Sequence, residues 1–191
     1  WSAVRVQTDP GRTTITHIYM AGDVIGFDDL GVGSPPYETT MQTDGSVTLF
    51  SRTKLFALAS THPRLFDTLL SLASIDTAVL LDRMHAIARL PAEDRLQHFF
   101  LSLKARLDHC SLQASDRFPL PFSQQEIGDA LGLTAIYVNR IVRRLEKSGE
   151  LTRAHPYIRL NNRNAWEDRL KFRNRYAEFD VHLLKPVVSV R

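Results

Sequence analysis

The chain has 191 residues, 43% of them apolar, and a formal net charge of +3. That length can bury one large core or two small ones, and the change of character near residue 61 predicts two small domains. A single cysteine, Cys110, excludes an internal disulfide and any Cys₄ metal site or iron–sulfur cluster held by these thiolates alone. No apolar run approaches transmembrane length and no signal peptide is visible, so a soluble protein of a reducing cytoplasm is expected.

Residues 1–52 read as strands and turns. Val4 and Val6 alternate with polar neighbours, Asp9-Pro10-Gly11 is a turn signal, and residues 13–20 are rich in β-branched side chains. Gly22, Gly26, Gly31, Gly33 and Pro35-Pro36 punctuate a loop-rich middle, after which residues 46–50 predict a last strand and residues 53–59 a short helix. The chain starts at Trp1 in what reads as mid-domain, and an N-terminally truncated chain is the expectation.

Residues 62–89 predict a long helix, with Pro63 just inside its start. Phe66, Leu70, Ala73, Thr77, Leu80, Met84 and Ile87 recur at steps of four and three, a heptad seam. Leu65, Leu69, Leu72 and Val79 form a neighbouring stripe expected to pack on the strands. A helix apolar on two faces needs two partners, and the second expected partner is the same helix of another subunit. A core helix within one larger domain is the alternative.

Leu90-Pro91 breaks that helix, and residues 92–109 predict another, with Leu96, Phe99, Phe100, Leu103 and Leu107 inward. Residues 111–121 read as a polar, proline-containing link. The stretch FSQQEIGDALGLTAIYVNRIVRRLEKSGELTR that follows predicts a helix-turn-helix. Ser123 with Glu126 three positions on makes a capping box. Gly132 stands where a tight turn needs positive φ, and Thr134 can cap a second helix with Val138, Ile141, Val142 and Leu145 inward. Asn139, Arg140, Arg143, Arg144 and Lys147 then point outward, a face suited to the major groove of double-stranded DNA. A plain amphipathic hairpin with a solvated basic face is the competing reading.

Residues 151–160 read as a β-hairpin around His155-Pro156, a wing, and residues 163–179 as a last helix carrying Trp166, Leu170 and Phe179. Between residues 138 and 175 there are eleven Lys or Arg against four Asp or Glu, a local net of +7, so the remainder carries −4. A basic C-terminal half is the footprint of polyphosphate contact. The seven histidines show no HExxH or similar spacing, and GxSxG, P-loop and GxGxxG motifs are absent, which points away from an enzyme and from a metal site.

A strand-rich segment, a seam helix and a winged helix-turn-helix, in that order, resemble the CRP/FNR superfamily of bacterial transcription regulators, over roughly residues 14–160. AGDVIGFDDLG (21–31), PAEDRLQHFFLSL (91–103) and the helix-turn-helix carry the likeness, and it lies nearer the FNR/FixK side. The tail WEDRLKFRNRYAEFD (166–180) is similar to an extra C-terminal helix of many such regulators. The resemblance implies an α+β fold: a partial β-roll of the cyclic-nucleotide-binding type (1–60), a dimerisation helix (61–90), a winged helix-turn-helix (91–161) and a C-terminal helix and tail (162–191). It also implies a homodimer on a pseudo-palindromic operator and contact with RNA polymerase.

The departures restrict what carries over. Cyclic-nucleotide binders place a Glu after the Gly that aligns with Gly26, and an Arg where Pro35-Pro36-Tyr37-Glu38 stands; here Phe27 follows Gly26. A cyclic phosphate needs a cation and donors, so no conventional cyclic AMP binding is expected, with Phe27, Tyr37 and Met41 closing a vestigial pocket. The oxygen-sensing branch has a cysteine where this chain has Val47, so no iron–sulfur cluster is expected. Arg140 falls on the family's guanine-reading Arg. Ile136 replaces a Glu and can press on a thymine methyl, and Asn139 replaces a Ser or Gly and can meet adenine or phosphate. Gln125, Thr134, Tyr137, Arg143 and Lys147 are expected on phosphates. The operator is expected to be related to TTGAT-type half-sites without being identical. A protein-interaction module with no specific DNA site is the alternative from another class.

Overall fold

The computed structural model describes residues 1–9, 12–27, 29–31, 33, 37–110 and 115–177. Its first layer is a three-stranded antiparallel sheet of order β2-β1-β3, from β1 (Ser2–Asp9), β2 (Arg12–Tyr19) and β3 (Glu38–Met41). Partners run Ser2↔Tyr19 to Val4↔His17, then shift to Arg5↔Ile15. A bulge there changes which face each later side chain meets, because strand side chains alternate. Ser2, Ala3 and Val4 are consequently all buried, while Val6 is half-buried, so the simple alternation expected of Val4 and Val6 does not hold.

Residues 46–50 do not form the expected strand. Among the described residues the sheet offers them no neighbour, and Leu49 is 91% exposed. The short strand β3 was not legible in the Gly- and Thr-rich stretch before them.

Helix α1 (Arg52–Thr61) leads into α2 (Pro63–Arg89), where Pro63 occupies the first turn as expected. Helix α2 packs against α1 and against α3 (Ala92–Cys110). Of the stripe expected on the strands, Val79 lines a cleft with Thr16 and Ile18, and Leu72 a cavity with Phe27, but Leu65 is exposed. Too little sheet lies beneath the start of α2 to cover it.

After residues 111–114, a stretch expected to be only a link contains β4 (Arg117–Pro119). It joins β5 (Leu151–Ala154) and β6 (Tyr157–Leu160) in a second antiparallel sheet of order β4-β6-β5. Between them lie α4 (Gln124–Leu131) and α5 (Ala135–Lys147). The last helix, α6 (Arg163–Leu170), is shorter than expected. Lys171 turns left-handed at φ 50°, and the Phe172 N–H donates back to the Glu167 carbonyl at 2.9 Å, a Schellman-type stop. Residues 172–177 then cross α3 and α2: Phe172 meets the ring of His98, and Arg175 forks onto Asp82 at 2.6 and 2.7 Å. Phe179 lies outside the described residues.

Most of the buried apolar side chains form one cluster that joins the first sheet to the helix pair. Ala3, Ile15 and Ile18 of the first sheet join Leu96 and Phe100 of α3, Leu131 of α4, Val138 and Leu145 of α5, and Trp166 of α6. Ion pairing at Arg5–Glu126, 2.6 Å, also ties β1 to α4.

Gly132 has the positive φ expected of it, 67°, but Gly128 is the stricter glycine. A Cβ on Gly128 would collide with the Leu133 carbonyl oxygen, so any side chain pushes the two helices apart. Gly132→Ala should cost about 1–2 kcal/mol, for the left-handed backbone alone. Gly128→Ala should cost about 1–3 kcal/mol by overpacking against rigid backbone and exceed the Gly132 variant in the same thermal-denaturation series. Equal melting temperatures for Gly128→Ala and the parent would contradict that close approach.

Candidate nucleic-acid interface

Helix α4 begins as its sequence dictates. The Ser123 hydroxyl accepts from the Glu126 N–H at 3.2 Å, and the Glu126 carboxylate accepts from the Ser123 N–H at 2.8 Å. Gly132 turns the chain, and Thr134 caps α5 by accepting from the Tyr137 N–H at 3.3 Å. Val138, Ile141, Val142 and Leu145 are all buried, as the period of the helix requires.

The opposite face is open to solvent. Ile136, in the first turn of α5, is 76% exposed. Arg140 is exposed one turn on, with its guanidinium 5.4 Å from the centre of the Tyr137 ring, and Arg143 and Lys147 continue the exposed stripe. The wing hairpin β5-β6 stands beside it and carries exposed Arg153, His155 and Arg159. Before the wing, Arg117 stacks on Tyr157 at 4.2 Å.

Other predicted contacts are partly committed within the protein. The Asn139 amide donates to Gln124 Oε1 at 2.7 Å, which commits one of its two N–H donors. The Gln125 amide donates to Asp129 at 2.7 Å, and the Thr134 hydroxyl is the helix cap. Arg144 pairs with Glu93 at the start of α3, which removes one cation from the basic face. Gln124 and Glu93 carried no local signal, since each acts on a residue distant in the sequence.

The seam residues also fall on one side. Leu70, Thr77, Leu80, Met84 and Ile87 are exposed, with Phe66 and Ala73 half-buried. The Thr77 hydroxyl donates to the Ala73 carbonyl at 3.0 Å, which leaves its methyl to present an apolar surface.

Beside the loop after β2, Phe27 lines a cavity of about 320 Å³ with Asp23, Asp76, Arg106 and Tyr176. Tyr37 and Met41 are not in its wall, and Met41 is 49% exposed. Pro35-Pro36 lie outside the described residues. His17, half-buried on β2, is held down to about 3 by burial and by Arg106 and Arg83, which keeps the imidazole neutral.

This arrangement, a capped helix pair with a glycine turn followed by a two-stranded wing, defines a winged helix-turn-helix. Residues 94–169 match the Crp-like helix-turn-helix domain. The fumarate and nitrate reduction regulatory protein of Escherichia coli K12 is 29% identical over 158 residues, 83% of this chain and 63% of the relative. FixK2 from Bradyrhizobium japonicum superposes with a TM-score of 0.71 at 29% identity, covering 87% of this chain and 82% of that one. A CRP-family transcriptional regulator from Thermus thermophilus shares the fold at a TM-score of 0.66 and 16% identity, over 90% and 84% of the two chains. Residues 94–169 thus match a Crp-like helix-turn-helix domain, and the chain is similar over most of its length to regulators of the CRP/FNR type. It spans 63% of the length of the curated relative it matches.

The capping box gives a measurable linkage. Burial raises the Glu126 carboxyl, but hydrogen bonds from Ser123 and Arg5 outweigh it and hold the group below the usual glutamate range. A depressed folded-state value stabilises above the unfolded value and is lost as pH falls through the folded one. Glu126→Gln should therefore be less stable than the parent at neutral pH, with the gap closing below about pH 4. Ser123→Ala should cost about 1 kcal/mol. Urea titrations of the three proteins at pH 7 and pH 3.5 check both, and a gap that stays constant across the two pH values would contradict the linkage.

Proposed function

We propose that this protein is a sequence-specific DNA-binding transcription regulator that acts as a cytoplasmic homodimer on a pseudo-palindromic operator. The observation that carries the reading is the exposed face of α5, where Ile136, Arg140, Arg143 and Lys147 stand opposite four buried aliphatic residues on a doubly capped helix. In this reading α5 enters the major groove. Arg140 forks onto guanine O6 and N7, and Ile136 presses on a thymine methyl. Asn139, with one of its N–H donors held by Gln124, offers its oxygen to a base or reorients to meet adenine or phosphate. Gln125, Thr134, Tyr137, Arg143 and Lys147 serve the phosphates.

The homodimer reading is supported by the exposed apolar seam, since Leu80 and Met84 are 40% and 59% exposed in the single chain. Contact with RNA polymerase is part of this reading on the likeness to CRP/FNR-type regulators alone. For the sensory part, the reading is that cyclic AMP is not bound conventionally and that these residues hold no iron–sulfur cluster. Asp23 and Asp76 in the cavity wall support the first of these, because they repel a phosphate and already engage Arg106.

Randomised-operator selection with salt titration tests the DNA reading. Arg140→Ala should lose about 1–3 kcal/mol per half-site and relax preference at one base pair. Arg143→Ala or Lys147→Ala should weaken all sequences alike and flatten the salt dependence. Leu80→Asp should leave the winged helix folded while weakening dimerisation and operator binding together, as read by sedimentation and gel shift. If Arg140→Ala kept the parent's base preferences, its role as the specificity residue would be wrong. A parent with no sequence preference and a shallow salt slope would favour a protein-interaction module instead. Titration calorimetry should show no tight site for cyclic AMP, and a tight exothermic isotherm would refute the sensory reading.

A further inference from the structure

Arg83 lies on α2 between the seam residues Leu80 and Met84, yet its side chain leaves the seam and reaches three backbone carbonyls. Nη1 donates to Thr16 at 2.9 Å, and Nη2 donates to Ile15 and, at 2.6 Å, to Ala130. The first two acceptors belong to β2. The third is among the last four carbonyls of α4, which have no partner within their own helix. A cation there also meets the negative end of the helix dipole. Among the described residues no carboxylate pairs with Arg83. Burial without such a partner pulls its guanidinium down to about 10, so it stays charged at neutral pH and depends on those carbonyls.

Arg95 holds the neighbouring carbonyl, Leu131, at 2.8 Å, but from α3, which is part of the winged-helix unit. Arg83 is different because it starts on the seam helix. It bonds the helix expected to pair the subunits directly to the first helix of the DNA-reading pair. Since α4 and α5 are joined by the Gly128–Leu133 close approach, the orientation of α4 passes to α5 with little slack. In a twofold dimer the separation of the two recognition helices dictates the spacing of the half-sites.

We propose that Arg83 is a positioning residue that sets the half-site spacing this protein accepts, by clamping the C-terminus of α4 to α2. The inference rests on the dimeric DNA-binding reading above. Loss of the clamp leaves each α5 able to read its bases while the distance between the two relaxes.

The test uses the full chain and palindromic duplexes that share half-sites and differ only in spacer length. The parent should prefer one spacing and lose about tenfold or more in affinity when two base pairs are added or removed. Arg83→Met should remain a folded dimer, keep its base preference within each half-site, and flatten that spacing profile to about threefold or less. Arg83→Lys should fall between, because an ammonium cannot present the same fork to carbonyls on two elements; it also carries the comparison if Arg83→Met does not fold. An unchanged spacing profile in the variants, with a parent that does discriminate spacing, overturns this inference and leaves the functional reading intact. A parent that shows no operator preference overturns both.

Discussion

A guanidinium or ammonium taken out of water must find acceptors, or it costs several kcal/mol. Helix α3 buries Lys104 and Arg106 together with the amide of Gln97, while its other faces carry Leu96, Phe99, Phe100 and Leu103. Its surroundings follow from that requirement. Arg106 draws in the loop after β2 through Asp23, α2 through Asp76 and the Ile18 carbonyl at 2.8 Å. Lys104 pairs with Asp108, which also receives Arg163 of α6 at 2.6 Å. Gln97 accepts from Arg169, whose other nitrogen reaches Asp94. The sheet, the seam helix and the last helix are thus placed by the partners that one central helix needs.

The same need recurs at the end of α4, where carbonyls without helical partners take guanidiniums from α2 and α3. This joins the first sheet to the winged helix through polar bonds as well as through the shared apolar cluster. Arg5–Glu126 adds a third link, and Trp1 packs edge-on against Phe122 at 5.7 Å. The DNA-reading pair is consequently continuous with the rest of the molecule. A displacement of β2 or of α2 reaches α4 without passing through a flexible linker, which is the physical basis any coupling between the first sheet and α5 would use.

The basic face of α5 is narrower than its charge count suggests. Arg144 pairs with Glu93, and Arg153 of the wing pairs with Glu146, leaving Arg140, Arg143 and Lys147 as the exposed cations of the helix with no carboxylate partner among the described residues. Two ion pairs at the rim of a cationic surface hold the neighbouring elements in register and direct the remaining charge to one strip. Ile136 at the head of that strip gives it an apolar contact, and a surface built only for non-specific phosphate attraction has no use for one.

Much of the helix-turn-helix was legible because its signals are local. The Ser123–Glu126 box, the Gly132 turn, the Thr134 cap and the 3.6-residue period of Val138 to Leu145 all act within one or two helical turns. The seam of α2 was legible for the same reason, as a period along one helix. What local pattern could not carry was pairing. Residues 46–50 have strand composition but no neighbour, while Glu38–Met41 and Arg117–Pro119 become strands because β1 and β6 lie beside them. The end of α6 at Lys171 follows from Phe172, Arg175 and Tyr176 finding partners on α2 and α3. Gly128 looked like an ordinary helical glycine until the fold brought the Leu133 carbonyl into the space its Cβ would need. Sequence by itself determined which segments are helices, which faces are apolar and which side chains α5 turns outward, since caps and periods depend on near neighbours. Only the tertiary structure decided which cations are free, which carbonyls Arg83 and Arg106 hold and that one apolar cluster joins the first sheet to the helix pair, because those outcomes depend on residues distant in the chain and adjacent only once it folds.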